Sequence, residues 1–166
     1  QQGAAPAYTK TGELVMPADY RHWTFVSSSI GMGYPTEGAP PSTAPPMFHN
    51  IFVNPDAYAS FMTSGTWPDK TVLLMEMRAA GHLPSLNPDA RFETGVMGYE
   101  IHVKDMSRGG WSFYGIRPGA ASGKRIDTQA CYTCHDQHGA VDSTFVQYYE
   151  PLVDIAKKKG TYKSAE

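Results

Sequence analysis

Cysteine is nearly absent from this chain: Cys131 and Cys134 are the only two in 166 residues. A single pair builds no disulfide framework, and a four-thiolate zinc site lacks its second pair. Long apolar runs are missing too, since no stretch approaches the ~18 consecutive apolar residues of a membrane-spanning helix. Charge of one sign is not in surplus. With 14 basic and 16 acidic residues and a net charge of -2, the chain carries no electrostatic footprint for nucleic acid or for an anionic membrane surface. The opening Gln1-Gln2-Gly3-Ala4-Ala5-Pro6 has neither the basic nor the apolar region of a leader peptide, and reads as the mature end of an exported chain. The length fits one domain over residues 1–166, in which about two-thirds of the surface of the unfolded chain is buried.

What is present centres on Cys131-Tyr132-Thr133-Cys134-His135, a C-x-x-C-H motif. Two thiols one helical turn apart can each add to a haem vinyl group, while the histidine reaches the iron from the same turn. A zinc site would need its remaining ligands from scattered histidines. A thioredoxin-like redox pair needs a preceding apolar strand, and Asp127-Thr128-Gln129-Ala130 supplies none. The motif therefore predicts a c-type cytochrome with one covalent haem c, bound through Cys131 and Cys134 with iron on His135. Bacterial haem c is attached outside the cytoplasm, so a periplasmic location is expected. The position of the motif matters as well. All eight methionines precede His135, so any distal side of the haem must be built from upstream sequence.

That upstream sequence reads as mostly extended. Alternating or β-branched and aromatic segments at 23–26, 48–53, 71–77, 99–103 and 111–116 predict five or so antiparallel strands. Loops at 31–46 and 81–88 are rich in proline and glycine. Asn54-Pro55 predicts an N-cap and first helical position, with Gly65 ending that helix. A second helix from about Asp127 carries the haem motif. A third is expected over 142–159, kinked at Pro151, with Lys157, Lys158, Lys159 and Gly160 at a solvated C-terminal end. The fold class is α+β, mainly antiparallel sheet with a few helices.

In order along the chain stand Pro17-Ala18-Asp19-Tyr20-Arg21-His22-Trp23, Ile51-Phe52-Val53-Asn54-Pro55, Gly65-Thr66-Trp67-Pro68-Asp69-Lys70-Thr71-Val72, Val103-Lys104-Asp105 and Trp111-Ser112-Phe113-Tyr114, ahead of the C-x-x-C-H with Asp142, Phe145 and Tyr149. In this series the sequence resembles the cytochrome P-460 and cytochrome c′-β family. The resemblance implies a large curved antiparallel sheet, a haem c near the C-terminal end and commonly a homodimer. It also implies one of two chemistries. P-460 proteins oxidise hydroxylamine with a lysine cross-linked to the haem, whereas c′-β proteins lack the cross-link, have an apolar pocket over the iron and bind nitric oxide and other diatomic gases. Where the cross-linked enzymes carry Thr-Val-x-x-Lys-Glu, this chain reads Thr71-Val72-Leu73-Leu74-Met75-Glu76. A methionine has no amine to form that bond. Lys70 lies in the turn before the strand and reads as an exposed turn lysine.

Period-2 alternation places Leu73, Met75 and Met77 on one face, the haem face if the family's orientation holds, and Val72, Leu74, Glu76 and Arg78 on the other. Met75 is then a core filler, a haem-edge contact or an iron ligand. His49 stands where the resemblance places a polar distal residue, and otherwise is a satisfied strand histidine. Asp105 matches a family pocket carboxylate, or is a strand-end turn residue. Phe48, Phe52 and Phe92 are candidates for an apolar cap, or core. His22, His82, His102 and His138 read as surface histidines. Three functions follow: a gas-binding cytochrome open to nitric oxide, an enzyme oxidising hydroxylamine or acting as a peroxidase, and an electron carrier with Met75 or His49 on iron. The expected partners are nitric oxide or hydroxylamine, with room for a redox partner protein.

Overall fold

The computed structural model describes residues 5–32, 45–83, 85, 88–127 and 129–164. Most of the loop expected at 31–46 therefore lies outside the described residues. Seven strands, β1 (Leu14–Val15), β2 (Thr24–Ile30), β3 (Met47–Val53), β4 (Val72–Gly81), β5 (Phe92–Asp105), β6 (Gly110–Ile116) and β7 (Ser122–Arg125), form one sheet. Its order is β1-β7-β6-β5-β4-β3-β2, and every pairing is antiparallel. Three helices, α1 (Pro55–Ser64), α2 (Gln129–His138) and α3 (Glu150–Lys159), complete the α+β architecture. Among the described residues no helix is long and apolar enough to cross a membrane.

Alternation along the central strands divides the apolar residues between two cores. Val72, Leu74, Ile101, Val103, Tyr114 and Ile116 pack with Leu14, Tyr20 and Trp23 on one face of the sheet. Val53 and Leu73 face the other way, toward Phe61, Trp67, Val146, Leu152 and Ala156 from the helical side. The Phe61 and Trp67 rings lie 4.3 Å apart and both side chains are fully buried, each burial contributing roughly 2–3 kcal/mol. Met75 and Met77 continue the Leu73 face past the edge of this second core. They become the wall of a cavity.

Three local expectations are corrected. The sheet has seven strands because β1 and β7 also join it, although Leu14–Val15 is too short and Ser122–Arg125 too polar to show alternation. The third helix begins at Glu150, since Asp142 and Ser143 are left-handed (φ 48° and 56°) and Val146–Tyr148 forms a 3-10 turn. Pro151 thus sits in the first turn of α3, where its missing N–H costs nothing, and kinks no helix. Asn54 precedes α1, but its side chain does not cap it. Its Oδ1 accepts from the Val72 N–H at 2.8 Å and its Nδ2 donates to the Lys70 carbonyl at 3.2 Å, joining the end of β3 to the start of β4. Gly65 and Gly160, at φ 75° and 71°, end α1 and α3 where the sequence places the stops.

Candidate functional site

The register of the central strands gathers one set of side chains. His49 pairs with Met77, Ile51 with Met75, Met75 with Glu100, and Leu73 with His102. Side chains paired this way share a sheet face. With Ser27, Ser29, Met32 and Met47 they form one wall of a cavity of about 350 Å³, and His135, Phe145, Tyr148 and Tyr149 line it as well. That volume suits a small-molecule or cofactor site.

His135 is held in a defined pose. Its Nδ1 lies 3.0 Å from the Ser143 carbonyl oxygen. A carbonyl can only accept, so Nδ1 carries the hydrogen and Nε2 keeps its lone pair for a metal. The rings of His102, Phe113 and Phe145 sit 4.5, 4.8 and 4.4 Å from the His135 ring. Burial pushes the His135 pKa down, opposed in part by the Ser143 bond. Burial and the neighbouring His135 push His102 well below the ordinary histidine range. His135 is thus held in the neutral, metal-ligating form.

The helix bearing the motif fits a covalently held haem. Cys131 and Cys134 are one turn apart on α2, and both are half-buried, as are Tyr132 and His135. No residue of α2 is fully buried, so the helix has no apolar anchor of its own in the two cores. Burial, with Cys131 beside it, raises the Cys134 pKa and keeps it a thiol. That is opposite to the lowered pKa of a thioredoxin-like pair. Among the described residues no three His, Cys, Asp or Glu side chains converge as a metal cluster.

Of the distal candidates, His49 and Met75 line the cavity. Phe48 and Phe52 belong to the opposite face by alternation, and Phe52 stacks on Tyr20 and Phe25 at 5.6 and 5.7 Å. Phe92 is exposed at the far end of β5, opposite Gly81. Asp105 faces away from the cavity as well, ion-paired to Lys70 and accepting from Tyr8 at 3.2 Å and from the Ser107 hydroxyl at 2.6 Å. Those four therefore form no part of this site, and Lys70 is committed to Asp105.

The sequence reading missed two residues. His102 is no surface histidine, because it packs edge-on to both His135 and Phe113. His22, His82 and His138 are exposed as expected. Glu100 remains solvent-accessible from the cavity, yet the surrounding protein pushes its carboxyl pKa up by desolvation. The signal was available in β5, where Glu100 and His102 alternate with Ile101 and Val103. Their pairing with Met75 and Leu73 assigns them to the cavity face.

A family model described as Cytochrome P460 matches residues 17–146. The chain belongs to the cytochrome P460 family. Comparison with curated proteins gave no match. The family makes this a haem c-type cytochrome, and the matched span of the cytochrome P460 takes in β2 to β7, the C-x-x-C-H of α2 and the Ser143 turn under His135.

Proposed function

We propose that Cys131 and Cys134 hold one haem c covalently, that His135 is its only protein ligand, and that the cavity admits nitric oxide or another diatomic gas. The haem would supply an iron able to bind such a gas. The observation carrying this reading is the character of the sheet wall. Ile51, Leu73, Met75 and Met77 are apolar, and among the described residues no lysine or arginine lines the cavity. An anionic ligand would lose hydration that these apolar side chains cannot replace and would meet no cationic lysine or arginine among the described residues, whereas nitric oxide has little to lose. Met75 occupies the position at which the resemblance places the cross-linking lysine, and its thioether cannot form that bond. As a haem c protein it would be exported, with the homodimer of its relatives as the expected assembly.

One observation favours a second reading. Glu100 pairs with Met75 across β4 and β5, and its raised pKa makes it a better proton acceptor than an ordinary carboxylate. It could take a proton from hydroxylamine while electrons leave to an external acceptor.

A single assay separates the two readings. Haem-loaded protein is mixed with hydroxylamine and an artificial electron acceptor, and the ferrous protein is titrated with nitric oxide in parallel. Gas binding predicts a stable ferrous nitrosyl and negligible reduction of the acceptor. Sustained reduction that disappears in Glu100→Ala would make the protein an enzyme.

A further inference from the structure

Residues 139–144 turn back beneath the end of α2, and the turn is costly to make. The Gly139 N–H donates to the His135 carbonyl at 3.0 Å. A Cβ on Gly139 would lie 2.5 Å from that oxygen and 2.7 Å from the Ser143 carbonyl carbon, so only glycine passes here without displacing backbone. Asp142 and Ser143 follow in the left-handed region, and Val141 and Thr144 close the turn as an antiparallel bridge. Two such residues persist only where their surroundings over-determine them.

Among the contacts that hold the turn, one centres on a cation. Lys104 Nζ donates to Asp142 Oδ2 at 2.6 Å and to the Trp67 carbonyl at 2.7 Å. Trp67 in turn donates from Nε1 to Thr144 Oγ1 at 2.8 Å, and Thr144 Oγ1 donates to the Val141 carbonyl at 2.6 Å. The Lys104 and Asp142 side chains are only 17% and 26% exposed, so water screens their attraction less than it screens a surface pair. The product of this bracing is the Ser143 carbonyl aimed at Nδ1 of His135.

We propose that Lys104 and Asp142 are positioning residues for the haem's axial ligand. Their ion pair fixes the turn whose Ser143 carbonyl accepts the Nδ1 hydrogen, and that bond would make Nε2 a stronger donor to an iron held there. The inference rests on the reading of His135 as the ligand.

The test is resonance Raman spectroscopy of the ferrous, haem-loaded protein, with the rate of His135 loss from the nitrosyl form as a second readout. Lys104→Met removes the donor and keeps the stem. It should move the iron–histidine stretch to lower frequency and speed His135 loss by about tenfold or more. Lys104→Arg should restore both. Asp142→Asn, which tolerates the left-handed backbone, should shift the band in the same direction by less, and so serves even if Lys104→Met fails to fold. Adding Asp142→Asn to Lys104→Met should add nothing, because both act through one contact. An unmoved band in Lys104→Met and Asp142→Asn at wild-type haem content would overturn the proposal. A wild-type protein with no iron–histidine band at all would instead remove His135 as ligand, and with it the reading underneath.

Discussion

At His135 the two ring nitrogens differ: Nδ1 is held by the Ser143 carbonyl, and Nε2 keeps the lone pair that the proposed iron would take. In the proposed function the thiols of Cys131 and Cys134 attach the haem, so the Cys131→Ala, Cys134→Ala double variant should release its haem to acid-acetone while wild-type protein keeps its colour. Asp105 shows what happens to a candidate that the fold diverts elsewhere. Burial alone would raise its pKa, but bonds from Lys70, Ser107 and Tyr8 outweigh this and lower it to about 2. A carboxyl whose pKa is lowered on folding stabilises the folded state above the unfolded pKa of about 3.9, and loses that contribution as pH falls toward 2. Asp105→Asn should therefore cost about 2 kcal/mol at neutral pH, with the gap to wild type closing between about pH 4 and 2 in denaturant melts. A gap that stays constant across that window would show that the charge is not the cause.

At the scale of elements, legibility followed the length of the signal. Strands β3 and β4 alternate over enough residues that the sequence placed Leu73, Met75 and Met77 on one face, and the register agrees. The short β1 and polar β7 hold their places through pairing with neighbours, which a local pattern does not record. His102 was misjudged and Glu100 passed over for a related reason: a polar residue alternating with buried ones usually faces water, and only the pairing with β4 shows that these two face a cavity. Asn54 was legible as a boundary but not in its task. Because it satisfies both the Val72 N–H and the Lys70 carbonyl, Asn54→Ala should cost roughly 1–3 kcal/mol through unpaired buried groups. Chemical denaturation would register this as a lower midpoint with an unchanged slope. Gly139→Ala strikes the other junction. With its Cβ 2.5 Å from the His135 carbonyl, it should displace the Ser143 turn and reduce the haem retained at the C-x-x-C-H, measured as absorbance per mole of protein.

Across the whole molecule, one sheet divides the labour. One face packs Tyr20, Trp23 and the central strands into a closed core, where Glu76 is fully buried between the Tyr20 hydroxyl, Arg21 at 2.6 Å and Arg78 at 2.9 Å. The other face is core at one end and cavity wall at the other, so the residues that stabilise β4 and those that would meet a ligand alternate along one strand. Such an arrangement lets the cavity wall vary without unpicking the sheet, and methionine at position 75, where the resemblance implies lysine, would be a change of that kind. The proposed gas binding requires a haem held by His135 alone, with a coordination position left free. The optical spectrum of the ferrous protein, recorded before and after nitric oxide, tests this most directly. A five-coordinate, high-spin spectrum that converts to a stable nitrosyl form and changes little in Met75→Leu is expected. A low-spin, six-coordinate ferrous spectrum that turns high-spin in Met75→Leu would contradict it, placing Met75 on the iron and making the protein an electron carrier.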